Sequence, residues 1–164
     1  MAVSQLQRAS GRPHPVEHLR KATLNDIQFL VDLAGDVYGQ EKYHYYGKYD
    51  PMKFRLFFER CLNERSVLIL RGEHSAGVAC ALNLFYLERP RGHILHFFSR
   101  PKGLSREAFR VLQGLIAWLR DQGCFQASFG SEIGTDFGPF AKLLGASPAN
   151  PSYVVRFDEE TENA

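Results

Sequence analysis

The stretch from His93 to Gln122 constrains the fold more than any other part of the chain. His93-Ile-Leu-His-Phe-Phe98 is an apolar run of strand length. Across a short turn containing Pro101 and Gly103 it meets the longest amphipathic pattern in the sequence, Leu104 to Gln122. Ala108, Leu112, Leu115, Ile116 and Leu119 form one apolar stripe at helical spacing there. Gly123 ends the pattern, and Phe125 to Phe129 is again of strand length. A strand, a helix with one apolar stripe and a second strand form a βαβ unit, whose helix needs a sheet face to cover.

The remaining elements extend that unit in both directions. His18 to Ala22 reads as a short strand. Thr23 then caps a helix, with Asp26 three residues on and Ile27, Leu30, Val31 and Ala34 on its buried side. Residues 38 to 50 hold Tyr38, Tyr43, His44, Tyr45, Tyr46 and Tyr49 without periodicity and read as a loop. Asp50-Pro51 opens a second helix with Phe54, Phe57, Phe58, Cys61 and Leu62 inward. Ser66 to Leu70 and Ala76 to Tyr86 read as a hairpin around Gly72-Glu-His-Ser75. Thr135 to Leu144 is a short helix stopped by Gly145, and Ser152 to Phe157 a last strand. The expected order is β-α-α-β-β-β-α-β-α-β, an α/β fold with a mixed sheet and helices on both faces.

Composition sets the outer limits. The 164 residues suffice for one domain with a real core. We expect a loose N-terminal arm over 1–16, a single domain over 17–158 and an acidic tail over 159–164. No apolar run reaches the roughly 20 residues of a membrane span, and no secretory leader pattern is visible, so the cytoplasm is the expected compartment. Three widely spaced cysteines, Cys61, Cys80 and Cys124, argue against a disulfide framework or a cysteine metal site and read as buried hydrophobes. His44 and His74 show no metal-ligand spacing. Twenty basic residues against eighteen acidic ones do not advertise nucleic-acid binding. Arg89, Arg91, Arg100, Lys102, Arg106 and Arg110 nevertheless cluster locally, which favours a local anion site.

That cluster falls on the turn that opens the long helix, Arg100-Pro-Lys-Gly-Leu-Ser-Arg106. First-turn N–H groups of a helix have no intrahelical acceptors, and the helix dipole adds positive potential there. Gly103 carries no Cβ to block an approaching ligand. Arg100, Lys102 and Arg106 supply mobile charge. On this segment alone, an ordinary strand-to-helix turn with solvated bases remains the alternative.

With the order of elements added, the chain resembles the GNAT superfamily of acyl-CoA-dependent N-acyltransferases. That family's acyl-CoA motif is Arg or Gln, two residues, Gly, one residue, then Gly or Ala. Here it reads Arg100-Pro-Lys-Gly103-Leu-Ser105, with Ser105 in place of the small final residue and Pro101 unable to donate an N–H. Phe140-Ala-Lys-Leu-Leu-Gly145-Ala looks like the family's Phe-Tyr-x-x-x-Gly-Phe segment. The likeness covers about residues 18 to 157 and extends faintly to divergent phage and prophage members.

The resemblance implies a partly splayed central sheet, with acetyl-CoA or another acyl-CoA between its fourth and fifth strands and an amine attacking the thioester directly. It implies a cofactor site at Phe97, Phe98, Arg100, Lys102, Gly103, Leu104, Ser105 and Arg106. Backbone N–H groups near Phe97 and Phe98 would polarise the thioester carbonyl. The candidate bases are His96, His93, Glu132 and Asp136, of which His96 and Glu132 are favoured. Strand alternation predicts His96 and Phe98 on one face, Leu95 and Phe97 on the other.

Two departures matter. The family's general-acid Tyr falls at Ala141, and its Asn after the fifth strand falls near Gly134. A thiolate with a pKa near 8.5 leaves without an acid, and Tyr153 or a loop tyrosine is a substitute. The aromatic loop lies where the family places its acceptor-binding segment and could sandwich a flat or cationic acceptor; packing of tyrosines onto the sheet is the alternative. The expected partner is a small-molecule or protein amine, with the chain a monomer or homodimer. A catalytically silent GNAT-fold binding protein, and a transferase acting on a nucleic-acid-attached amine, stand as alternatives.

Overall fold

The computed structural model describes residues 19–39, 47–100, 105–130 and 138–148. Five strands form one sheet in the order β1-β2-β3-β4-β5. They are β1 (Arg20–Lys21), β2 (Val67–Arg71), β3 (Ser75–Leu82), β4 (Arg91–Ser99) and β5 (Ala127–Ser128). The first three pairings are antiparallel and the β4–β5 pairing is parallel. Four helices accompany them: α1 (Ile27–Tyr38), α2 (Pro51–Asn63), α3 (Arg106–Asp121) and α4 (Gly138–Leu143). The expected order therefore holds through the last helix, and the final strand expected at 152–157 lies outside the described residues.

The helix starts follow from local chemistry. Asp26 accepts from the Thr23 amide at 2.8 Å, and a single 3-10 turn over Leu24–Asp26 leads into α1. The Asp26 carboxylate also accepts from Arg20 at 2.7 Å and from Arg71 at 3.0 Å. Arg20 above all holds its pKa far below the usual carboxylate range. Asp50 accepts from the amides of Met52 and Lys53, and Pro51 occupies the first helical position of α2.

The sheet separates two cores. On one face α1 and α2 bury Leu30, Leu33, Phe58 and Phe98 with Val78. On the other, α3 buries Ala108, Val111, Leu112, Leu115 and Leu119 against Leu68, Ala79, Ile94 and Phe97. Gly77 sets how close α3 lies: a Cβ there would stand 2.5 Å from Leu115 Cδ1 and 3.2 Å from the Phe97 ring.

The strict alternation expected along β4 is broken. Val78 pairs with His96 and Ala79 with Ile94, so Leu95 is an extra residue, a β-bulge. Leu95 consequently packs with the α1/α2 core, beside Phe98 and not on the Phe97 face. The third expected strand boundary also moves. β3 ends at Leu82, short of Tyr86, because Phe85 and Tyr86 stand exposed in the following turn, where no sheet face covers them. Cys124 falls in the turn before β5. All three cysteines are buried free thiols, as expected.

Candidate functional site

Among the described residues, β5 pairs with the start of β4 only. β4 and β5 share two register pairs, Gly92 with Ala127 and His93 with Ser128. β4 then continues from Ile94 to Ser99 alongside β3 alone, among the described residues. Gly92 is necessary at the paired end. A Cβ there would meet the Gln126 carbonyl at 2.8 Å and the Leu119 side chain at 2.9 Å, so a larger residue would push β5 or α3 away.

The mouth of α3 follows shortly after β4 in the chain. Ser105 is its N-cap and accepts from the Ala108 amide at 3.0 Å. The amides of Ser105, Arg106 and Glu107 have no acceptor inside the helix. Arg100 ends the strand side of the same loop. Its amide donates to the His74 carbonyl at 3.1 Å, and its Nε donates to Asp36 of α1, also at 3.1 Å. That ion pair is half exposed at both partners. Ser105 and Arg106 thus stand at the mouth of α3, while the Arg100 side chain reaches Asp36 of α1, the helix on the other face of the sheet; Lys102, Gly103 and Leu104 lie outside the described residues. The side chains of Phe97 and Phe98 are buried in opposite cores, so only their backbone is left to face a ligand.

His96 stands in an aromatic cluster rather than a polar one. Its ring stacks on Phe98 at 5.6 Å and meets Phe57 edge-on at 5.1 Å and Phe54 at 5.8 Å. Nδ1 lies 3.4 Å from the Tyr38 hydroxyl. Burial pushes its pKa down to about 4, so the imidazole is neutral at pH 7 and weakly basic. Tyr38 and Tyr49 belong to the same packing, with the Tyr49 hydroxyl donating to the Val31 carbonyl at 2.7 Å. These two rings of the aromatic stretch thus join α1 and α2; residues 40–46 lie outside the described residues.

His93 has polar company. Its Nδ1 lies 2.7 Å from Ser128 Oγ, and that hydroxyl donates to the Gly92 carbonyl at 3.3 Å. With the hydroxyl proton committed to Gly92, Nδ1 is the donor and Nε2 keeps its lone pair, a tautomer assigned from the network. Glu132 and Asp136 lie outside the described residues. Ala141 sits in α4 with no hydroxyl to offer.

Sequence reasoning missed two residues here. Ser128 becomes visible only through register, which sets it opposite His93. Glu107 is the second. It is 5% exposed, and its carboxylate accepts from the amides of Glu73 and His74 and from the Ser75 hydroxyl, at 3.1, 2.8 and 2.6 Å. Those donors hold its pKa below the ordinary value despite the opposing effect of burial. The signal for it was an acid in the first turn after a serine cap. Among the described residues no group of His, Cys, Asp or Glu could hold a metal ion, and no helix is long and apolar enough to cross a membrane.

Comparison with known proteins places the architecture. No protein-family model matches the chain, and no curated protein matches it by sequence. Solved structures do match in shape. Glucosamine-6-phosphate N-acetyltransferase from Arabidopsis thaliana superposes with a TM-score of 0.64 at 17% identity, over 86% of this chain and 98% of that one. A structure described as a predicted acetyltransferase with acetyl-CoA, from Clostridium acetobutylicum, gives 0.64 at 15% identity, over 86% and 96%. A structure described as a transcriptional regulator from Bacillus halodurans gives 0.67 at 14% identity, over 86% and 99%. The fold is that of the GNAT acetyltransferases, and at such identities the likeness concerns the fold alone.

Proposed function

We propose that the chain is an acyl-CoA-dependent N-acyltransferase that passes an acetyl group from acetyl-CoA to an amine. The observation that supports this reading is the short described pairing of β4 with β5, at Gly92 and His93 only, which we read as leaving an opening beside Ile94–Ser99, the part of β4 that leads toward α3. An extended pantetheine fits such an opening as a surrogate strand, and a diphosphate suits amides backed by a helix dipole. Arg100 and Arg106, with Lys102, Gly103 and Leu104 of the intervening loop, complete the cradle.

Acetyl-CoA would supply the activated thioester. The chain's own work is then orientation and proton handling. The Arg100 amide is already used, donating to the His74 carbonyl beside β3. Amides near Phe97 and Phe98 are suited to polarise a carbonyl. Holding amine and thioester together supplies much of the acceleration. The incoming ammonium must lose a proton. Of the two strand histidines, His93 is the better base, because Ser128 fixes its tautomer while burial weakens His96. Glu132, which follows β5 in the sequence, remains a proposed base. With Ala141 at the expected acid position, the CoA thiolate leaves unassisted or takes its proton from water. The acceptor is a small-molecule or protein amine; a nucleic-acid-attached amine is the less favoured form.

The absence of a hydroxyl at Ala141 also supports a second reading, a binding protein that holds acyl-CoA without turnover. Two assays separate these. Calorimetric titration with CoA and acetyl-CoA measures binding, and thiol release over a panel of primary amines measures transfer. Binding with turnover that falls about a hundredfold or more in His93→Ala supports the enzyme with His93 as base. Binding without turnover favours the silent form. No affinity at millimolar CoA rules out both.

A further inference from the structure

We infer that Glu107 is a positioning residue for diphosphate binding, tying the mouth of α3 and the end of β4 to one platform, the Gly72–Ser75 turn. The inference rests on the acyl-CoA reading of the site. An acid at the second position of a helix ordinarily faces water or the helix's own amides. Glu107 instead leaves its helix and spans to another element, where it is buried. Its Oε1 accepts from the His74 amide and the Ser75 hydroxyl, and its Oε2 from the Glu73 amide. The carboxyl group fills the space a side chain at Gly72 would need, since a Cβ there would stand 2.5 Å from Oε1. The turn is closed by its own bond, from the Gly72 amide to the Ser75 carbonyl at 2.8 Å.

The same turn grips the other stem of the loop. The Arg100 amide donates to the His74 carbonyl, and Ser75 is the register partner of Ser99. His74 therefore uses its amide for Glu107 and its carbonyl for Arg100. Residues 101–104 connect two stems whose separation is set through one residue of a different hairpin. Loosening Glu107 frees the helix mouth while leaving the β3–β4 pairing below it untouched, so its effect should fall on the diphosphate and not on the pantetheine.

The test compares two ligands. CoA carries the diphosphate and pantetheine does not. Glu107→Ala is expected to weaken CoA binding by roughly tenfold or more, with pantetheine binding unchanged. Glu107→Gln keeps an acceptor oxygen for His74 and Ser75 and should recover part of the loss. If the variants lose thermal stability but keep the wild-type ratio of CoA to pantetheine affinity, the carboxylate serves the fold only and the inference is overturned. Should Glu107→Ala not fold, Glu107→Gln and Ser75→Ala carry the same comparison. Wild-type protein that binds no CoA would sink the acyl-CoA reading instead. Amide exchange of unliganded Glu107→Gln then decides the clamp: exchange should quicken at both Arg100 and Ala108, whose amides are hydrogen-bonded, and unchanged protection at Arg100 would overturn it.

Discussion

Replacing His96 with phenylalanine should flatten the acid side of the stability profile. The native imidazole titrates at about 4, against 6.5 for an ordinary histidine, because burial among Phe54, Phe57 and Phe98 disfavours the cation. Between those two values the unfolded chain takes up a proton at this site and the native chain does not. Native stability is therefore full above pH 6.5, falls as pH drops through the window, and levels off below pH 4. At one pKa unit per 1.36 kcal/mol, the site costs about 2 kcal/mol at pH 5 and about 3 kcal/mol below pH 4. The ring keeps some contact with water, so both figures are upper bounds. The phenylalanine has nothing to protonate. Urea denaturation at pH 7 and pH 5, analysed by linear extrapolation, reads the difference. Asp26 and Glu107, both depressed, lose stability on acidification in either protein and cancel in the comparison. The stability of His96→Phe relative to wild type should rise by about 2 kcal/mol between the two pH values. Parallel profiles for the two proteins would show that the imidazole titrates normally and that the aromatic packing around it is wrong.

Other substitutions test the rest of the account. Gly77→Ala presses a methyl into Leu115 and should lower stability by about 1–3 kcal/mol, seen as a lower urea midpoint; a neutral result would mean that α3 lies farther from the sheet. Ser105→Ala removes the cap on the Ala108 amide and should cost about 1 kcal/mol by the same assay. Asp36→Ala breaks a half-exposed pair worth about 1 kcal/mol at most, yet frees Arg100 and should tighten CoA binding, while Arg100→Ala weakens it. Unchanged affinity in both variants would detach Arg100 from the site. Burial pushes the Cys61 thiol up to about 11, so it should resist a thiol reagent at pH 8 until denaturant is added; immediate labelling would contradict its burial.

The architecture was legible because each element carried its own local reason. Thr23 with Asp26, Asp50 with Pro51, and the Leu112–Leu115–Leu119 stripe stopped by Gly123 announce three helices from short-range chemistry, although the third begins at Arg106 behind a Ser105 cap and not at Leu104. What escaped was whatever depends on register. A strand pattern read at period two cannot reveal that Leu95 is inserted, and that insertion turns Leu95 toward α1 and α2. The sequence favoured His96 over His93 as the base, because burial and partners cannot be read from a strand pattern. Only pairing across the sheet gives His93 a serine and His96 a wall of rings. Glu107 was hidden for a related reason: a first-turn acid reads as dipole compensation, and its partners lie more than thirty residues upstream.

Backbone amide spectra recorded during titration with acetyl-CoA test the central claim most directly, since they report where the ligand sits. The account predicts shifts concentrated at Ile94–Ser99 and at Ser105–Glu107, with β1 and β2 unmoved. Shifts confined to the β1–β2 edge, or a spectrum unaltered at millimolar ligand, would contradict it.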